Sequence, residues 1–316
     1  MRNTLSFSLV FCLAHNVIAA SVRADADDGY LIKLKTHPDT GKTALVQEQA
    51  TMHSHTKLVG RKEKKILENN EDKQTQFSKY RETILEQPKG QDDPTRLRRE
   101  YEKAELEVLG QTTVLALHGK TVLIEKQKDR YRFSVEGGPE LTGQDAERLA
   151  DEFPSTSGPT PKFTDMVPSD KAVRVDDNHD IDPKVLLKVY ARLSDGGIKI
   201  DFTKAKGSWK LTRAYQKEGR QFGVIELHVE LPLREMRSTH PKAAEQLVMQ
   251  PGAKMTLHGV IDGCIDGSAA TATSQLDMEI NGTALVPSPD APQFDLILVI
   301  KTSTKMTIEE SSSLQP

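Results

Sequence analysis

The feature that most constrains this chain is a series of alternating stretches broken by turn dipeptides in its second half. "IKIDF", "SWKLTRAYQ" and "QFGVIELHVEL" follow one another from Ile198 to Leu231, separated at Lys206-Gly207 and Glu218-Gly219. Side chains two apart on a strand share a face, so this alternation encodes antiparallel strands with one buried side. "KMTLHGVID", "SAATATSQLDMEI" and "TALV" come next, separated by Asp266-Gly267 and Asn281-Gly282. Asp-Gly and Asn-Gly favour tight hairpin turns. A last long strand is predicted over "FDLILVIKTSTKMTI", Phe294 to Ile308.

The first half carries the same signals less cleanly. "YLIKLKT" alternates from Tyr30 to Thr36, and Ala44 to Leu58 is predicted to be its hairpin partner. Between them, "HPDTGKT" ends like a phosphate-binding loop. That motif needs a glycine at position 36, where Thr36 stands, and a helix after it. Pro38-Asp39-Thr40-Gly41 is instead good turn chemistry. "TTVLALHGKTVLIEKQKDRYRFSVEGG" reads as three short strands with turns at His118-Gly119-Lys120 and Lys128-Asp129-Arg130. Arg61 to Leu109 stays open between helix and strand. Asp93 and Pro94 start like a helix with Leu97, Tyr101, Ala104 and Val108 on one face, while "SKYRETILEQ" reads as an exposed strand.

Two helices are expected. Near 142–152, Thr142 would cap, with Leu141 as a staple residue and Ala146, Leu149 and Phe153 on one face. Near 183–193, Asp182 caps, Pro183 comes first, and Leu186, Val189, Tyr190 and Leu193 form the buried stripe. "PSTSGPTPKF" is the best linker in the chain. The fold class expected is therefore α+β, mainly antiparallel β. Two β-meander halves would each carry a short helix, in a curved-sheet or sandwich-like arrangement. The divisions are an export signal over 1–26, a half over 27–153, a linker over 154–167, a half over 168–310 and a tail over 311–316. A five-residue echo, "LALHG" at Leu115 and "MTLHG" at Met255, is compatible with duplication.

Composition narrows the function classes. The chain has 316 residues and a net charge of -3, with no basic excess that would suggest nucleic acid. Arg2 followed by the apolar "LSFSLVFCLA" and small residues to Ala26 reads as an export signal. The expected location is periplasmic or extracellular after cleavage, with no transmembrane span in the mature chain. Cys12 would leave with the signal, so Cys264 is left without an internal disulfide partner.

Candidates for chemistry are sparse. There is no G-x-S-x-G, G-x-G-x-x-G, HExxH or C-x-x-C. Cys264 with His258 or His228 could pair as nucleophile and base, though no family signature surrounds Cys264. His53 and His55 would face one side of a strand, as metal ligands must, with His37 the nearest third candidate. Asp176, Asn178 and Asp180 match the first positions of a calcium loop. Ile181 stands where its glycine belongs and Leu187 where its final glutamate belongs. No cofactor is expected. The basic "KLVGRKEKK", Lys57 to Lys65, reads as a solvated face.

At "SWKLTRAYQKEGRQFGVIELHVEL", together with "YLIKLKTHPDTGKTALVQEQATM", the chain resembles a loose group of secreted bacterial β-rich proteins of unknown function. The resemblance covers most of the mature chain and rests on strand pattern. In similar proteins the proline-led middle segment, here "MVPSDKAVRVDDNHDID", tends to end in a Gly-Asp-Ser-Trp-like stretch. Asp176-Asp177-Asn178-His179 stands in that place here. The resemblance implies no catalytic residues, and an architecture similar to curved sheets that hold lipoproteins or lipids. The expectation is an exported, non-enzymatic binding or structural protein of the bacterial cell envelope, with an envelope protein, lipid or glycan as partner. A lipid or hydrophobic-ligand carrier is the first alternative, and a hydrolase with a spatially assembled site the second.

Overall fold

The computed structural model describes residues 29–35, 37–62, 64–89, 93–128, 130–153, 163–167, 171–194, 197–237, 246–288 and 291–312. The expected signal, most of the expected linker and the tail beyond 312 lie outside them.

The protein is dominated by one 14-stranded antiparallel sheet. Its elements in chain order begin with β1 (Tyr30–Leu31), β2 (Thr43–Gly60), β3 (Ile66–Glu86), β4 (Arg96–Val108), β5 (Gln111–Val114), β6 (Thr121–Gln127) and β7 (Arg130–Val135). Helix α1 (Gln144–Glu152), β8 (Ala172–Val173), β9 (Asn178–Asp180) and helix α2 (Pro183–Tyr190) follow. The chain finishes with β10 (Ile198–Ile200), β11 (Lys206–Lys217), β12 (Arg220–Arg237), β13 (Gln246–Val248), β14 (Lys254–Cys264), β15 (Thr271–Ser288) and β16 (Ala291–Ser312). The main path of the sheet is β7-β6-β4-β3-β2-β16-β15-β14-β12-β11-β9. The mainly antiparallel β class holds. The strands of the two expected halves pair side by side, because β2 and β16 run together from Gly60↔Leu296 to Ala44↔Ser312.

Several local expectations need correction. The stretch left open between helix and strand is extended: β3 and β4 pair along their length. Tyr30-Leu31 does not form a hairpin with β2 but pairs with Val173 and Ala172 of β8. Asn281-Gly282 lies inside β15, and Lys206-Gly207 lies at the start of β11. Glu218 and Gly219 do turn, with φ of 53° and 75°, between β11 and β12. Leu115–Gly119 follows β5 as a turn while Met255–Gly259 is strand, so the two echo segments are not structural equivalents.

The helices form where capping and stripe agree. Asp182 accepts a 2.8 Å hydrogen bond from the Lys184 backbone N–H, with Pro183 at the first turn. Leu186, Val189 and Tyr190 are buried. In α1 the cap is Gly143 instead of Thr142, with no side-chain cap bond. Asp145 and Glu147 in the first turn sit where the helix dipole favours carboxylates. Helix α1 packs on β7 and α2 on β11, at opposite flanks of the sheet. Residues 29–35 and 37–42 lie along one end as a strap: the Lys33 N–H donates to the Ile265 carbonyl and the Gly41 N–H to the Ile84 carbonyl. Strap, helices and sheet share one continuous hydrophobic core that includes Ile32, Leu149, Leu186, Leu257 and Ile300.

Candidate functional site: the inner face of the sheet

Strand register sorts the side chains into two faces. Residues directly opposite on antiparallel neighbours lie on the same face. One row runs Val229, Leu257, Met278, Thr304, Met52, Gln74. The next runs Leu231, Met255, Ile280, Thr302, Ser54. A third runs Leu227, Gly259, Leu276, Met306, Ala50, Gln76. Most of these side chains are buried, and the face they share is the inner one.

Each row changes character as it crosses the sheet. On β12, β14 and β15 it is aliphatic and methionine. On β16, β2 and β3 buried polar groups join it, Thr302, Thr304, Ser54, Gln74 and Gln76 with Ser78 of the row beyond, interleaved with Met306, Ala50 and Met52. Buried polar groups cost free energy unless they find hydrogen-bond partners. Ser54 and Thr302 lie 3.3 Å apart through their hydroxyls, and the Gln74 amide donates to Asp72 at 3.1 Å. Thr304, only 1% exposed, has no partner for its hydroxyl among the described residues. It stands at the border, flanked by Met278 and Met52. Methionine is flexible and polarizable, suited to a surface that must adapt to an irregular apolar partner.

The polar side of the face ends in a buried charge network. The Arg99 guanidinium donates to Glu82 at 2.8 Å and to Glu152 of α1, and it lies over the Tyr80 ring at 4.4 Å. His37 of the strap lies 3.1 Å from the other Glu82 oxygen. The Tyr80 hydroxyl donates to Glu48 at 2.6 Å. Burial alone would raise the Glu82 pKa, but Arg99 and His37 bring it down to about 2. Burial pushes the phenols of Tyr80 and Tyr101 up. Glu82 is therefore a locked anion joining strap, sheet and helix, and too weak a base at neutral pH for proton abstraction.

The outer face is wet and laced with ion pairs, among them Lys79 with Glu102 and Lys210 with Glu226. Such exposed pairs contribute little each. Apart from His37, which Glu82 holds at the polar end of the inner face, the sequence-predicted residues lie away from it. His53 and His55 do share the outer face of β2, but His53 engages Glu71 at 2.7 Å and His55 engages Asn69 at 2.6 Å. His37 is held by Glu82, so the three histidines are not brought together. Asn178 and Asp180 lie on β9 beside β11, and Asp176 takes a φ of 67° in the preceding turn. No group of three or more metal-ligating side chains occurs among the described residues. Cys264 contacts Asp266 at 3.2 Å and Ser268 at 3.5 Å. His258 faces His228 across β12 and β14, six residues from Cys264 or about 20 Å along the strand. The sequence missed the polar rows and the Arg99 network, because both are written in residues that normally face water.

No family model matches this chain, and no curated protein matches it. Among solved structures it is similar to one titled for lipid–protein interactions in lipovitellin, at 8% identity and a TM-score of 0.33, over 89% of this chain and 26% of that one. The chain thus spans about a quarter of the lipovitellin chain. A second, P47 from Clostridium botulinum A2, gives 8% identity and a TM-score of 0.13, over 84% and 81% of the two chains. At scores this low neither likeness says anything about ligand or chemistry. No helix among the described residues is long and apolar enough to cross a membrane.

Proposed function

We propose that this chain is an exported, non-enzymatic binding protein that holds an amphipathic, lipid-like ligand against the inner face of its sheet. The observation that carries the reading is the polarity border along β15, β16 and β2. There an aliphatic and methionine surface meets a row of buried hydroxyls and amides, with the Thr304 hydroxyl unpartnered. Both surfaces are buried, so an acyl chain on the first and a headgroup on the second would enter by displacing the groups packed against them, the one held by apolar burial and the other by hydrogen bonds. Export is supported by the apolar stretch behind Arg2, and by the likeness of the strand pattern to secreted bacterial β-rich proteins. The pairing of Cys264 with His258 or His228 finds no support, since Cys264 ends β14 beside Asp266 and Ser268, six residues from His258.

Native mass spectrometry of the mature chain, purified from an exported fraction without detergent, tests this. The expected spectrum carries an added mass that organic extraction removes and identifies as an amphiphile. Met278→Trp, which fills the border, is expected to abolish the added mass while leaving the circular dichroism unchanged. A bare chain at the sequence mass, with no uptake of phospholipid or fatty acid on incubation, would overturn the reading in favour of a structural or protein-binding role.

A further inference from the structure

The β2–β3 hairpin ends in a cluster that the inner-face reading does not use. Across residues 57–69, which Lys57 and Asn69 close as opposite neighbours, the sequence places Lys57, Arg61, Lys62, Lys64 and Lys65 against two carboxylates, Glu63 and Glu68, a local net of +3 in a chain of net -3. Arg61, Lys62, Lys64 and Lys65 are all exposed, and none has an ion-pair partner among the described residues. The tip is a defined turn: the Gly60 N–H donates to the Lys65 carbonyl at 2.9 Å and the Lys64 N–H to the Gly60 carbonyl at 2.9 Å. Beside the cations stand two large aliphatic side chains in water, Ile66 at 53% exposure and Leu67 at 49%. Partly exposed Val59 adjoins them across the hairpin, and Leu296 and Ile297 lie on the neighbouring strand. Elsewhere in the sheet, cations are mostly matched by carboxylates and aliphatics mostly turn inward.

We propose that this hairpin tip docks the protein on an anionic lipid surface. Cations draw such a surface to the tip, and exposed aliphatics next to them enter the interface between headgroups and acyl chains. Charge complementarity selects the partner: the tip is the cationic end of a net-acidic chain, and a zwitterionic bilayer offers it no electrostatic attraction. Glu68 stands opposite Leu58 at the base of the tip, while Glu71 and Asp72 lie further down β3 and Glu71 is engaged by His53. The tip also lies at the end of the sheet opposite the strap, because the strap's contacts are with Ile84 at the far end of β3 and with Ile265. Docking does not require that the inner face carry a ligand.

Co-sedimentation of the full mature chain with two vesicle preparations tests this. One is phosphatidylcholine alone and the other is phosphatidylcholine with phosphatidylglycerol. Binding is expected to the anionic vesicles only and to weaken as salt is raised. Lys62→Glu, Lys64→Glu and Lys65→Glu together are expected to weaken it on the order of a hundredfold. Ile66→Ser with Leu67→Ser is expected to weaken it on the order of tenfold. The lysines lie at the exposed tip and Ile66 and Leu67 at the exposed start of β3, and unchanged thermal unfolding would show that the fold survives. Equal binding to both vesicle types, binding that both variants retain, or binding to soluble polyphosphate but not to vesicles would overturn the proposal.

Discussion

Arg99 exchanges water for Glu82, Glu152 and the Tyr80 ring while only 3% exposed. Removing one partner of such a group leaves buried charge uncompensated, which costs about 3–5 kcal/mol. Arg99→Met is therefore expected to lower the urea midpoint strongly, while Arg99→Met combined with Glu82→Met and Glu152→Met recovers most of the loss. The pH dependence has a definite sign. Glu82 titrates near 4.5 when unfolded and about 2 when folded, so it binds its proton more weakly in the native state. Its stabilisation, on the order of 3 kcal/mol, is present above about pH 4.5 and is lost as pH falls from there toward 2. Glu82→Gln should flatten the acid limb of a stability-versus-pH curve in that window; an unchanged limb would remove Glu82 from the account. Thr304 predicts the opposite kind of outcome. With no partner for its buried hydroxyl, Thr304→Val should stabilise the ligand-free protein by about 1 kcal/mol and weaken amphiphile binding.

At the scale of elements, what was legible in the sequence depended on why each residue is there. Glu218-Gly219 was readable as a turn because both residues adopt positive φ in a connection with nothing crowding it. Gly282 looked the same on paper but serves another purpose. A Cβ there would lie 2.6 Å from Met249 Cε and 2.8 Å from Ala253 Cβ, so glycine lets a neighbouring segment close on β15. Gly207 likewise makes room for Ile181 and Leu186 as α2 settles on β11. The two roles are separable by unfolding midpoints. Gly219→Ala and Gly282→Ala should each cost about 1 kcal/mol or more, and Ala253→Gly together with Met249→Ala should relieve only the second. The helical spacing of Leu97, Tyr101 and Ala104 arose from a register shift between Tyr80↔Tyr101 and Lys79↔Lys103, which breaks the period of two. Arg99 on the buried face completed the disguise. The strap escaped notice because its partners, Ile265 and Ala172–Val173, are distant in sequence.

For the whole molecule, the antiparallel class was readable because alternation and turn pairs are local. The single sheet was not, because it depends on β2 pairing with β16 from the opposite end of the chain. The inner-face border was hidden for a related reason: Gln74, Gln76, Ser54, Thr302 and Thr304 read as water-facing until the register places them on one face with Met52, Ala50, Met278 and Ile280. That border is the central claim, and photolabelling tests it most directly. The mature chain would be incubated with a phospholipid carrying a photoreactive group on its acyl chain, irradiated, digested and mapped. The account predicts labels on the inner-face residues Met278, Met255 and Leu257, with competition by unlabelled phospholipid. Labels confined to the outer face around His258 and Lys305, or the absence of competable labelling, would contradict it.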